Sequence, residues 1–191
     1  MTRLRARLPP TLKLWRDKPA RQANDEWENG KYGETVLKNE SRIEVRRSGV
    51  HGRGVFANAR IRKGARIIEY TGRRLPWKEA QDLPPLDPKH PYHTFLFSLD
   101  NGEVIDATVG GNPSRWINHS CDPNCETFEE DDRIFVHALR GLQPGEELFY
   151  DYKMIPSDRR TKKVEKEFGC FCGAAKCRGT MLEKRKARRR K

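Results

Sequence analysis

Long apolar runs are missing from this chain of 191 residues, of which 35% are hydrophobic and 9% aromatic. No stretch approaches the roughly 20 apolar residues that a membrane-spanning helix needs. The amino-terminal Arg3, Arg5 and Arg7 precede LPPTLKLW, where Pro9, Pro10 and Lys13 interrupt any export-type hydrophobic segment. Cysteine is scarce too: there are five, three of them crowded into CFCGAAKC at 170–177. So few and so clustered, they argue against a secreted disulfide framework and for a metal in a reducing compartment, making the protein intracellular. One ordinary hydrophobic core, with an appendage, is what this length and apolar content can fill.

Acidic residues are the minority overall, and the net charge of +12 is unevenly spread. Residues 1–24 carry seven Lys/Arg against Asp17, and 183–191 carry seven against Glu183, so each end contributes +6 and the middle sums to zero. A run such as KRKARRRK at 184–191 cannot bury enough surface to fold. It serves either solubility or attachment to nucleic acid, an acidic protein or an import receptor.

Helical periodicity is thin as well. PWKEAQDL at 76–83 reads as about two turns stopped by Pro84-Pro85, and SDRRTKKVEKEF at 157–168 as a short helix from Ser157 or a charged connector. Between residues 41 and 152, by contrast, strand-length apolar runs recur: RIEVR at 42–46, GVFA at 54–57, RIIEYTG at 66–72, TFLFSL at 94–99, EVIDA at 103–107, RIFVHAL at 133–139 and EELFYDY at 146–152. Turn residues punctuate them, notably Asp100-Asn101-Gly102 and Gln143-Pro144-Gly145. The chain therefore reads as mainly β, in several small sheets, with a polar arm over 1–40.

Four segments concentrate chemistry. SGVHGRGVFA at 48–57 holds three glycines in its first seven residues, which permits close backbone approach to a ligand, although such a turn by itself is more often a tight strand connection. RWINHSCDPNC at 115–125 offers the Asn118 amide, the His119 imidazole and two thiols in a turn-rich stretch that would otherwise be a structural loop. ELFYDY at 147–152 puts Tyr150 and Tyr152 on one strand face, as packing or as a narrow pocket with an aromatic wall and a polar end. CFCGAAKCRGTML at 170–182 spaces three thiols as C-x-C-x4-C. With a fourth thiolate from Cys121 or Cys125 this would be a closed tetrahedral structural zinc site.

Taken together and in this order, HGRG, NHSCDPN, ELFYDY and CxCGxxxCRG resemble the SET domain with its post-SET segment, over about residues 41–182. The resemblance implies a fold of small curled sheets with a pseudoknot-like core where the NHS loop meets the YDY strand. It also implies a SET domain over 41–152, a connector over 153–168, a post-SET zinc segment over 169–182 and a basic tail over 183–191. The implied activity is transfer of methyl from S-adenosylmethionine to a lysine amine of a protein, a histone or another basic protein. His51, Arg53, Phe95, Asn118, His119 and Phe171 would hold the cofactor, and Tyr152 and Tyr150 would form the catalytic pair. Cys121, Cys170, Cys172 and Cys177 would bind one structural Zn2+, leaving Cys125 free. Phe95 stands where the family often has a tyrosine touching cofactor and substrate, so that hydroxyl would come from Tyr92, from water or from nothing. A tyrosine at 150 leaves little room for added methyl groups and implies mainly mono-methylation.

The expected partner is a protein bearing a target lysine, with the tails touching nucleic acid, no membrane, and a monomeric state. The expected place is chromatin in a nucleus, or the cytoplasm of a bacterium. The alternative is an inactive SET scaffold that binds nucleic acid through its basic tails.

Overall fold

The computed structural model describes residues 42–87, 93–156 and 159–184. The polar arm, Tyr92, Ser157 and most of the basic tail lie outside the described residues. β1 (Ile43–Arg47) and β2 (Arg53–Ala57) form an antiparallel hairpin in which Val45 faces Val55. The Gly-rich segment is their turn, closed by Ser48 N–H donating to the Gly52 carbonyl at 2.9 Å, with Gly52 at φ 47°.

β3 (Arg66–Tyr70), β8 (Cys125–Glu130) and β9 (Arg133–Ala138) make one sheet in the order β3-β9-β8. β8 and β9 are joined by Asp131 and Asp132, both at positive φ (49° and 59°), the two-residue turn whose twist suits adjacent antiparallel strands. β4 (Arg73–Pro76), β5 (Leu96–Ser98) and β6 (Glu103–Asp106) form a second three-stranded sheet, with β6 central. Helix α1 (Trp77–Gln81) follows β4 and buries Ala80 beside Leu75 and Val104.

The small parallel pair β7 (Asn118–His119) with β10 (Phe149–Tyr150) is the junction that matters most. It lays the NHS and YDY segments side by side, the crossing that the resemblance implied. EELFYDY reads as one strand but is shared between two partners. Ala57 N–H donates to Glu146 O at 2.8 Å and Leu148 N–H to Val55 O at 2.7 Å, and only then does the chain move across to pair with β7. The main core fills the space among these sheets, with Val55, Ile61, Val136, Leu142 and Leu148 fully buried.

Beyond Tyr152 the chain is not a plain connector. Thr161 caps α2 (Lys162–Glu167), its side chain accepting from Val164 N–H, and Met154, Phe168 and Leu182 close a small second core. Met154 pairs with the chain end: its N–H donates to Met181 O at 3.1 Å and its carbonyl accepts from Glu183 N–H at 2.9 Å. Residues from 153–156 and 159–184 thus share a three-residue core, and Tyr152 packs against it.

Candidate active site and metal centre

An aromatic series runs through the junction of β7 and β10. Ring centroids are 5.1 Å apart for Tyr70 and Phe97, 6.3 Å for Phe97 and Tyr150, 5.0 Å for Tyr150 and Tyr152, and 5.2 Å for Tyr152 and His119. Tyr70, Phe95, Phe97, Tyr150, Tyr152 and Met154 border a narrow cavity of about 40 Å³. The Tyr152 hydroxyl donates to Ile117 O at 2.8 Å, and the Tyr70 hydroxyl to Phe95 O at 2.8 Å. Burial raises the pKa of Tyr70, Tyr150 and Tyr152 above the ordinary phenol value, and the neighbouring phenols add to it for Tyr70 and Tyr150. All three stay protonated at neutral pH.

Phe95 itself is buried, and the phenol that its own ring lacks is present in the same cavity on Tyr70 of β3. The sequence signal for Tyr70 was its place in the apolar run RIIEY, which reads as core rather than as site. Phe95 also packs edge-on against Trp116 at 5.0 Å and His93 at 5.3 Å, and His93 against His51 at 5.0 Å. Arg53 lies 5.3 Å over the Trp116 ring. His51 and Arg53 are thus tied to the cavity wall through Trp116 and His93.

Asn118 fastens the Gly-rich turn to this site. Its amide nitrogen lies 3.2 Å from His51 O, 2.9 Å from Arg53 O and 3.0 Å from the Glu147 carboxylate. Glu147 in turn accepts from the Ser48 hydroxyl at 2.8 Å, and it fills the space where a side chain at Gly54 would begin, since a Cβ there would lie 2.1 Å from its Oε1. Glu147 carries no signal of its own in the sequence, because one of two successive glutamates after Pro144-Gly145 is ordinarily solvated.

His119 is buried, and burial lowers its pKa to about 4, against the opposing pull of Asp151. The ring is accordingly neutral: Nδ1 accepts from Tyr152 N–H at 3.1 Å, and Nε2 lies 3.5 Å from Cys121 Sγ. His119 joins the tyrosine strand to the thiol cluster. Phe171 does not border this cavity, and its ring is 86% exposed.

The thiols of Cys121, Cys170, Cys172 and Cys177 lie within 4.8 Å of one another. Cys121 Sγ is 3.7 Å from Cys170 Sγ and 3.9 Å from Cys177 Sγ, close to the edge of about 3.8 Å for a tetrahedron with metal–sulfur bonds of about 2.3 Å. Backbone N–H groups point at the sulfurs: Cys121 to Cys172 at 3.4 Å, Arg178 to Cys121 at 3.3 Å and Gly179 to Cys177 at 3.4 Å. Burial opposes ionisation of Cys172, yet the N–H groups of Cys121 and Ala174 and the adjacent thiols bring it down to about 6, while burial lifts Cys170. Four sulfurs so close cannot all ionise unless a cation shares their charge, so the donor set fits a metal ion. Cys125 is fully buried in the main core, its thiol pushed up to about 12 by burial, and it takes no part. The choice that spacing left open falls on Cys121.

Arg178 closes the arrangement. Its guanidinium makes a two-pronged pair with Asp151, at 2.9 and 2.7 Å, with both side chains about six-sevenths buried. Asp151 is the residue between the two tyrosines, so the segment bearing three of the thiols grips the tyrosine strand directly.

A scaffold of small sheets with a parallel crossing that joins an aromatic cavity, a glycine turn and a four-thiol cluster defines one class of protein. Residues 52–153 match the family model of the SET domain, and the chain belongs to that family. It is 36% identical over 146 residues to histone-lysine N-methyltransferase TRX1 of Oryza sativa subsp. japonica, covering 73% of this chain and 14% of the relative. It is 35% identical over 153 residues to histone-lysine N-methyltransferase ATX2 of Arabidopsis thaliana (73% and 13%), and 37% identical over 140 residues to human histone-lysine N-methyltransferase 2B (71% and 5%). The chain spans less than a sixth of the length of these relatives. Among the described residues no helix is long and apolar enough to cross a membrane.

Proposed function

We propose that this chain is a protein-lysine N-methyltransferase that takes S-adenosylmethionine as methyl donor, acts on a histone or another basic protein, and carries one structural Zn2+ on Cys121, Cys170, Cys172 and Cys177. The observation that carries the reading is the narrow cavity walled by Tyr70, Phe95, Phe97, Tyr150 and Tyr152, linked through His93 and Trp116 to the turn that Asn118 holds at His51 and Arg53. The turn suits a cofactor: His51, Gly52 and Arg53 are exposed, and nothing lies within 4 Å of where a side chain would start on Gly49 or Gly52. When bound, S-adenosylmethionine supplies an electrophilic methyl on a sulfonium. Phe171, with its ring exposed, is placed in this reading against its adenine.

The cavity's aromatic walls exclude water from a lysine chain and disfavour its ammonium form, so the amine enters as the nucleophile without a protein base. No phenolate is at hand to act as one, since burial keeps the phenols protonated. The Tyr152 proton is committed to Ile117 O, which leaves the oxygen lone pairs to orient the amine and to make weak C–H···O contacts with the methyl. Mixed basic proteins incubated with the purified chain and methyl-labelled cofactor should become labelled. An absence of transfer to any of them, with cofactor bound, would turn the reading to a scaffold that binds without reacting.

Two outcomes follow from the phenols. Tyr150 is buried against Phe97 and Tyr152, so its hydroxyl occupies volume that a second methyl would need. Mono-methylation should dominate, and Tyr150→Phe should shift products towards di- and trimethyl-lysine with little loss of the first transfer, as read by mass spectrometry. Efficient trimethylation by the unaltered chain would contradict the assignment. The pH profile is the second. An ordinary lysine titrates near ~10.4, and the three phenols are raised above their usual ~10, so rate should climb from about pH 7 to pH 10 without an alkaline fall from phenolate formation. A descending limb near pH 9 that disappears in Tyr152→Phe would refute this.

A further inference from the structure

The neutral middle of the sequence conceals a polarity that the fold makes spatial. Residues 42–158, the sheets and the aromatic site, carry sixteen Lys/Arg against eighteen Asp/Glu, a net of −2. Residues 159–182 carry seven against two, +5, before any of the terminal run is counted. Arg159, Lys162, Lys163, Lys166, Lys176 and Lys184 are all exposed. Four cations of this region, Arg160, Lys166, Arg178 and Lys184, line a concavity of about 420 Å³, together with Glu165, Gly179 and Thr180. Inside it, Arg160 is committed to Glu165 at 2.7 Å and Arg178 to Asp151. Those pairs fix the walls. The cations they leave for a ligand are Lys166 and Lys184, and Lys184 leads straight into RKARRRK.

We infer that this concave basic face is a docking surface for the sugar-phosphate backbone of nucleic acid, and that it binds independently of the terminal run. Two exposed lysines at a hollow whose lining includes no hydrophobic or aromatic side chain suit a regularly charged polyanion read by charge rather than by sequence. An acidic peptide would need an apolar anchor to gain comparable affinity, and the lining offers none. The inference deepens the proposed function, because an enzyme held to nucleic acid would meet basic proteins already bound there. It does not depend on catalysis for its test.

The test is fluorescence anisotropy of a labelled duplex with the full chain, with a chain lacking residues 185–191, and with each of these carrying Lys166→Gln and Lys184→Gln. Bound metal is measured in every variant to show that the segment is folded. The shortened chain should still bind. The paired substitutions should weaken binding about tenfold near 0.1 M salt in that background and reduce the slope of log affinity against log salt by about two. Methyl transfer to a short free peptide should be unchanged by them. Loss of all binding on removing 185–191, or an unaltered slope after the two substitutions, would overturn the inference. So would an acidic polypeptide that binds as tightly as the duplex. A chain that binds duplex in this way but transfers no methyl group would leave the docking surface standing and overturn the enzymatic reading alone.

Discussion

Tyr152→Phe should lower the turnover of methyl transfer by about 100-fold or more while cofactor affinity changes little, the magnitude expected when a reacting group loses its orientation. The phenyl ring keeps its packing against Tyr150 and His119, so the cavity wall survives. What disappears is one oxygen, the group that sits between the Ile117 carbonyl and the cavity. Ile117 O then loses its partner, at a cost of about 1–3 kcal/mol in stability, which thermal denaturation can separate from the kinetic effect. Isothermal titration with the cofactor and single-turnover labelling together give the split. Near-normal turnover in the variant would remove Tyr152 from the reaction, and a large loss of cofactor affinity would make it a binding residue instead.

Much of this site could be read from residue types, and the unread part has a common cause. HGRG, NHSC, YDY and CxCGxxxC stand out because histidine, cysteine, paired tyrosine and clustered glycine are rare and chemically distinct. Tyr70, Glu147, Asp151 and Arg178 went without a role because each looks ordinary where it stands. Tyr70 ends an apolar strand, Glu147 opens one, and Arg178 is one cation among many. Their roles arise only from pairings between residues 25 to 99 positions apart: Tyr70 with Phe95, Asp151 with Arg178, Glu147 with Ser48 and Asn118. Strands followed the same division. β9, with its solid apolar run, was legible, whereas β7 has two residues and exists because β10 lies beside it. The turn at Asp131-Asp132 escaped notice because aspartate adopts positive φ less often than the Asn-Gly or Asp-Gly pair that usually marks such a hairpin.

Removing the metal should cost more than any single side chain outside the cavity. Among the described residues of 153–184, the small core buries Met154, Phe168 and Leu182, too little to hold some thirty residues in place. A structural zinc on four thiolates is worth on the order of 10 kcal/mol at neutral pH, and bound as proposed it would tie 170–177 to Cys121 beside His119. When the tie is lost, the Arg178–Asp151 pair must hold the tyrosine strand by itself, and the packing that backs Tyr152 opens. Chelation, or Cys121→Ser, should therefore abolish methyl transfer and expose residues 159–184 to limited proteolysis while the sheets over 42–150 stay resistant. Emission spectroscopy should find one zinc per chain before chelation and none after. Cys125→Ala is the control, because it removes a thiol from the main core and should lower stability by a few kcal/mol without changing metal content. If the metal-free chain keeps its activity, or if Cys125→Ala loses the metal while Cys121→Ser retains it, the four-thiol assignment and its link to Tyr152 both fall.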